Sequence, residues 1–137
     1  MTTQEYLWQI QRFERMITNK LDEIHKLRMI LSGTSSIGNL TEKVQTSGNK
    51  DRIGSSVVKI VDMENEVDEL IDKRYEIVRQ IESLPDTQMY DVLAQRYVSG
   101  REMKSIQLCG VDSLRQVKRI HAKALDCFEK TYGELYL

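Results

Sequence analysis

Apolar residues in the N-terminal part of the chain recur every seven positions, in two rows of one stripe that Lys20 alone interrupts. The rows are Ile10, Ile17, Ile24 and Leu31, and Tyr6, Phe13 and Leu27. Apolar residues spaced alternately by three and four lie on one face of a helix, and a sustained seven-residue repeat is typical of paired helices. The pattern therefore predicts a helix from about Thr3 to Leu31 that packs against another helix.

The periodicity disappears from Ser32 to about Lys50, where the sequence reads SGTSSIGNLTEKVQTSGNK. Glycine, serine, threonine and asparagine dominate this stretch, and they favour turns and loops over regular elements. We expect a loop over residues 32–50. A loop of this length in a small protein is usually functional or disordered.

A second helical pattern runs from about Asp51 to Ser83 with strict four-three spacing, in which seven of nine positions are apolar. The positions are Ile53, Val57, Ile60, Glu64, Val67, Ile71, Arg74, Val78 and Ile81. Acidic residues fall mostly off this stripe and predict a solvated outer face; they are Asp62, Glu66, Asp68, Glu69 and Asp72. Two long helices joined by a loop predict an antiparallel hairpin over residues 1–84.

The helical apolar pattern breaks at Leu84-Pro85, because proline cannot continue a helix, and the helical segments after it are shorter. We expect three helices in residues 85–137, the second and third joined by the turn Cys109-Gly110-Val111. The predicted helices are Asp86–Val98, Glu102–Leu108, and one from a cap at Asp112 or Ser113 to about Lys130. Helices joined by a short turn that contains glycine match the helix-turn-helix plan. The predicted fold is all-α, a long helical hairpin followed by a three-helix helix-turn-helix unit.

Composition narrows the function classes. The net charge of −1 gives no global attraction to nucleic acid or an anionic membrane, so such a partner needs a local patch. No apolar run is long enough to span a membrane, and two distant cysteines fit a reduced cytoplasmic setting. Phosphate-loop, nucleophile-elbow and metalloprotease motifs are absent, and the cysteines and histidines lack zinc-ligand spacing. We expect a non-enzymatic protein without metal or cofactor.

The last predicted helix carries the candidate chemistry. Its expected inner face is Leu114, Val117, Ala124, Leu125 and Phe128. Between Ser113 and Lys123 there are four Lys/Arg residues and no acid. Arginine and glutamine can read base edges, and lysine and a helix start suit phosphates. The candidate DNA-binding residues are Ser113, Arg115, Gln116, Lys118, Arg119 and Lys123. An ordinary solvated basic face is the alternative.

Two stretches carry a resemblance to a known family: VQTSGNKDRIGSSVVKIVDMENEVDELID and SLRQVKRIHAKAL. They resemble small phage and prophage proteins related to the ArpU and RinA type of late-gene transcriptional regulators. The C-terminal part is similar to the promoter-reading helix-turn-helix of bacterial sigma factors, region 4. The resemblance implies that Arg115, Gln116, Lys118, Arg119 and Lys123 lie on a recognition helix. It also implies double-stranded DNA as partner and action alongside host RNA polymerase. A single unit of this size offers few base contacts, so we expect the hairpin to form a homodimer or to supply a protein contact.

The supporting helix departs from that family, in which an isoleucine precedes a small alanine and glycine follows four residues after the alanine. Here Ile106 is present, but Gln107 occupies the small position and Gly110 comes one residue early. Two other functions therefore stay open. One is a DNA-packaging recognition subunit of the small-terminase kind, which would assemble into a ring. The other is a non-enzymatic protein-interaction module whose degenerate helix-turn-helix no longer meets DNA.

Overall fold

The computed structural model describes residues 1–33 and 47–137, with side chains described from residue 53 in the second stretch. Its four α-helices are α1 (Thr3–Ser32), α2 (Ser47–Glu82), α3 (Thr87–Leu93) and α4 (Leu114–Tyr132). The all-α prediction is confirmed, and so is the long antiparallel helical pair. The start of α2 at Ser47 corrects the predicted loop, since Ser47 to Lys50 are helical. The rest of that loop, 34–46, including Val44, lies outside the described residues.

Ion pairs and hydrogen bonds establish that α1 and α2 are antiparallel, because the residue numbers of the partners in α2 fall as those in α1 rise. The hydroxyl of Tyr6 donates to Gln80 at 2.7 Å, and Nε of Arg74 donates to Glu14 at 2.9 Å. Farther along, Lys20 pairs with Glu66 and Arg28 pairs with Glu64. The polar interruptions of the two stripes at Lys20, Glu64 and Arg74 are thus interhelical ion pairs.

The predicted stripe of α2 is only partly buried. Ile60, Val67 and Ile81 are buried, whereas Ile53, Val57 and Ile71 are about half exposed, and Leu70 and Ile77 are buried in their place. The buried residues form two rows of seven-residue spacing, one with Ile60, Val67 and Ile81 and the other with Leu70 and Ile77. The predicted row of Val57 and Ile71 therefore lies beside the seam, which corrects the prediction that all apolar positions of the stripe face it.

The chain divides into two compact units. One contains Met1–Glu14 with Asp72–Leu137, and the other contains Arg15–Ile71. The start of α1 and the end of α2 thus lie in the same compact unit as the C-terminal segment. In the Arg15–Ile71 unit, the buried core consists of Ile24, Ile60 and Val67, with half-buried Ile17, Leu27, Leu31 and Met63 around it.

The larger unit has a core to which all four α-helices contribute. Leu7 and Ile10 come from α1, and Ile77 and Ile81 from α2. Residues after the break complete it: Leu84, Val92, Leu93, Tyr97, Ile106, Leu108, Val117, Ala124 and Phe128. The break at Leu84-Pro85 is confirmed, since α2 ends at Glu82 and the Asp86 side chain caps α3 by accepting from the amides of Gln88 and Met89.

The segment between α3 and α4 differs from a regular helix-turn-helix. The chain continues from α3 through a π-helical turn, Ala94–Val98, so the predicted end of that helix is confirmed. The predicted helix Glu102–Leu108 is wrong: one 3-10 turn, Met103–Ser105, is followed by an extended Ile106. Buried Ile106 and Leu108 flank exposed Gln107, an alternation with period two that suits an extended chain better than a helix.

Candidate nucleic-acid interface

Helix α4 begins where the sequence predicts. The hydroxyl of Ser113 accepts from the amide of Gln116 at 3.2 Å, which makes Ser113 rather than Asp112 the N-cap. Val117, His121, Ala124 and Phe128 are buried at four-three-four spacing and fix the rotation of the helix about its axis. Leu114 is 42% exposed and Leu125 half buried, so the predicted inner face is corrected at Leu114. Leu114 is exposed because it lies in the first turn of α4, before Val117, the first residue of this helix that is buried against the core.

The opposite side of α4 is exposed and cationic. Arg115, Arg119 and Lys123 follow one another at four-residue spacing, which places them within an arc of about 80° on the helix surface. Lys118 lies at one edge of that arc and Gln116 at the other. Among the described residues, none of the four cations forms an ion pair or a side-chain hydrogen bond. We call Arg115, Lys118, Arg119 and Lys123 the basic face.

The first acid on the outer side of α4 after the basic face is Asp126, and it is paired. Nζ of Lys130 lies 3.0 Å from the Asp126 carboxylate, one helical turn away. The hydrogen bond and the charge of Asp126 raise the pKa of Lys130. Asp126 therefore leaves the positive potential of the basic face largely intact, although an exposed pair of this kind contributes little to stability.

A buried aromatic cluster attaches α4 to the core behind the basic face. The Tyr97 hydroxyl and Nε2 of His121 are hydrogen-bonded at 2.8 Å, and Trp8 meets Tyr97 edge-on with ring centroids 4.8 Å apart. The guanidinium of Arg96 lies over the Trp8 ring at 4.8 Å. Burial raises the pKa of Tyr97 to about 12, and burial, followed by the charge of Arg96, lowers the pKa of His121. His121 is thus a buried packing residue, and its lowered pKa keeps the imidazole neutral near pH 7.

Two glutamine side chains hydrogen-bond the backbone at the start and near the end of the connection to α4. The Gln95 amide donates to the carbonyl of Gln107 at 2.8 Å and accepts from its amide at 3.0 Å. Nε2 of Gln11 donates to the carbonyls of Tyr97 and Val98, at 3.0 and 2.8 Å, where the π-helical turn ends. These contacts hold the connection to α4 in place. The sequence contains no signal for them, since an isolated glutamine looks the same on any helix.

The basic face combines the groups that bind a polyanion. Guanidinium groups can hold phosphate or guanine edges in bidentate fashion, lysine ammonium groups suit phosphates, and the capped start of α4 directs amide dipoles outward. The six predicted residues, Ser113 to Lys123, thus lie on one helix, and all are exposed. In the described ranges, no group of three His, Cys, Asp or Glu residues is placed to hold a metal ion.

Both cysteines are free thiols, with Cys109 exposed in the turn and Cys127 half buried on α4. None of the helices in residues 1–33 and 47–137 combines the length and the apolar character needed to cross a membrane. The comparisons with protein-family models, curated proteins and solved structures yield no match for this chain.

Proposed function

We propose that this protein is a DNA-binding transcriptional regulator that contacts double-stranded DNA through the basic face of α4. The observation that carries the proposal is the concentration of four exposed cations, without ion pairs among the described residues, on one side of a single helix in a chain of net charge −1. A solvated helix surface usually mixes both signs of charge, whereas an acid-free arc attracts a polyanion.

The rigidity behind that face supports the same proposal. Base and phosphate contacts require side chains held in a fixed register on the duplex. Val117, Ala124 and Phe128 are buried, and His121 is hydrogen-bonded to Tyr97, so α4 has little freedom to rotate or slide. A buried anchor on one side and free cations on the other are what a groove-reading helix needs.

The resemblance to ArpU-type and RinA-type regulators extends the proposal. A sigma-like C-terminal unit would act alongside host RNA polymerase on phage late genes, inside the host cytoplasm. A single short helix offers few base contacts, so we propose a homodimer formed through the helical hairpin, which raises affinity and selects paired half-sites.

The double variant Arg115→Ala, Arg119→Ala tests the role of the basic face. We expect its affinity for double-stranded DNA, measured by fluorescence anisotropy at low salt, to fall by about tenfold or more. The matched control removes two exposed cations from other helices of the same unit, Arg12→Ala with Lys73→Ala. Equal losses in the two double variants would contradict the assignment of the basic face, because only net charge would then matter.

One observation favours a second candidate, the protein-interaction module. The supporting helix is reduced to the single turn Met103–Ser105, so the phosphate contacts that such a helix usually adds are reduced. For this function we expect no retention on DNA even at low salt, together with a stable complex with a protein from the host. Retention that depends on Arg115 and Arg119 would exclude it.

A further inference from the structure

The Arg15–Ile71 unit exposes apolar side chains beside its own seam. Val57 and Ile71 lie seven residues before and after Glu64, and Leu21 lies seven residues before Arg28. Residues seven apart share a face of a helix, and Arg28 pairs with Glu64 across the two helices. These apolar positions therefore lie on one face of the hairpin. Val61, three residues before Glu64, borders them.

The side chains on this face are leucine, valine and isoleucine, and their exposed fractions are large for residues that are usually buried. Leu21 is 49% exposed, Val57 46%, Val61 50% and Ile71 46%. By contrast, the described hydrophobic residues that this unit buries are four, Ile24, Ile60, Val67 and Leu70. A unit this small rarely obtains enough stability from one core alone and usually needs a metal, a disulfide or a partner. We call Leu21, Val57, Val61 and Ile71 the apolar face.

The charges of the two helices indicate what covers the apolar face. The α1 segment 15–32 has four Lys/Arg residues and two acids, whereas the α2 segment 53–71 has one lysine and five acids. Intramolecular ion pairs use Glu64 and Glu66. Asp68 lies about 20° from Val57 around α2, and it forms no ion pair within the described residues. A second α1 placed beside α2 would match this excess of negative charge.

Deepening the homodimer proposed above, we infer that the apolar face packs against the apolar face of a second copy, with a two-fold axis parallel to the helices. That axis places α1 of each copy opposite α2 of the other, basic against acidic, and completes a four-helix bundle. A perpendicular axis would place α1 opposite α1 and α2 opposite α2, with like charges facing. Two adjacent valines distinguish this specific interface from non-specific hydrophobic association. Val57 belongs to the apolar face, whereas Val58, which is 59% exposed, is turned away from Val57 by about 100°.

Sedimentation equilibrium of the full chain tests the inference. We expect the wild type at micromolar concentration to have twice the chain mass of 16.0 kDa. Val57→Glu places a charge in the interface of both copies and should raise the dissociation constant about 100-fold or more. Val58→Glu, the same change on an exposed neighbour, should alter it by less than about threefold. Leu21→Glu repeats the test from α1, and circular dichroism checks that each variant keeps its helices.

A wild type that is monomeric, or whose mass indicates a ring, overturns the inference, as does equal dissociation by Val57→Glu and Val58→Glu. The proposed function is judged separately. A monomeric chain whose DNA affinity still depends on Arg115 and Arg119 would leave the DNA-binding proposal standing and remove only the dimer. A dimer without DNA affinity would leave the dimer inference standing and remove the DNA-binding proposal.

Discussion

Acidification is expected to weaken the attachment of α4, because the site of His121 accommodates a neutral imidazole and disfavours a charged one. Burial lowers the pKa of His121 below its usual value of 6.5, and the Arg96 guanidinium lowers it further. The Tyr97 hydroxyl partner keeps its own proton, since burial raises the pKa of Tyr97 to about 12. His121 is therefore neutral in the folded protein at a pH where the unfolded chain already begins to take up a proton.

The sign and size of the effect follow from linkage. Because the folded-state pKa is lowered, the unfolded state binds more protons, so the stability from this site is complete above pH 6.5 and is lost as the pH falls through the folded-state pKa. One proton changes the free energy of unfolding by at most about 1.4 kcal/mol for each pH unit. Below the folded-state pKa the loss reaches its limit.

Urea denaturation followed by circular dichroism measures this loss when it is repeated at about pH 7.5, 6.5 and 5.5. The control is His121→Gln, which offers the Tyr97 hydroxyl an amide partner but cannot titrate. We expect the wild type to lose stability relative to this variant below pH 6.5. Parallel pH dependence of the two proteins would refute the reasoning, and so would a wild type that gains stability relative to the variant on acidification.

Three further predictions concern the connection to α4 and the helical hairpin. Gly100 has φ +72°, and an added Cβ would lie 3.3 Å from Oε1 of Gln11, so Gly100→Ala should lower the free energy of unfolding by about 1–2 kcal/mol. Gly54→Ala should raise it by about 0.5–1 kcal/mol, because Gly54 is helical with open space around it, and a loss there would contradict its helical placement. Gln95→Ala should cost about 1 kcal/mol and accelerate hydrogen exchange at the Gln107 amide. Unchanged exchange would show that the amide of Gln107 is protected by something other than Gln95.

Helical periodicity, a proline break and a helix cap made most of the fold predictable. The seven-residue repeats marked α1 and α2, Pro85 marked the break, and a serine before an amphipathic run marked the start of α4. Each of these signals is local, because helix faces, caps and breaks depend on residues only a few positions apart.

The segment 102–108 shows why the rest was not predictable. Five of its seven residues are good helix formers, which favours the predicted helix. Its extended course depends instead on Gln95 and on pockets for Ile106 and Leu108 that other elements supply. Tertiary contacts override local helix preference in such a segment. The exposed positions of the candidate site were predictable from helix periodicity. The Tyr97–His121 hydrogen bond was not, because its two residues come together only when the helices pack.

The salt dependence of DNA binding tests the central claim most directly. If the four cations of the basic face meet phosphates, the logarithm of the association constant should fall against the logarithm of salt concentration with a slope of about −3.6 or steeper. Replacing Arg115 and Arg119 by alanine should make that slope shallower by about 1.8 for each bound chain. Absence of binding at low salt, or a slope that these two replacements leave unchanged, would contradict the proposal that α4 binds DNA.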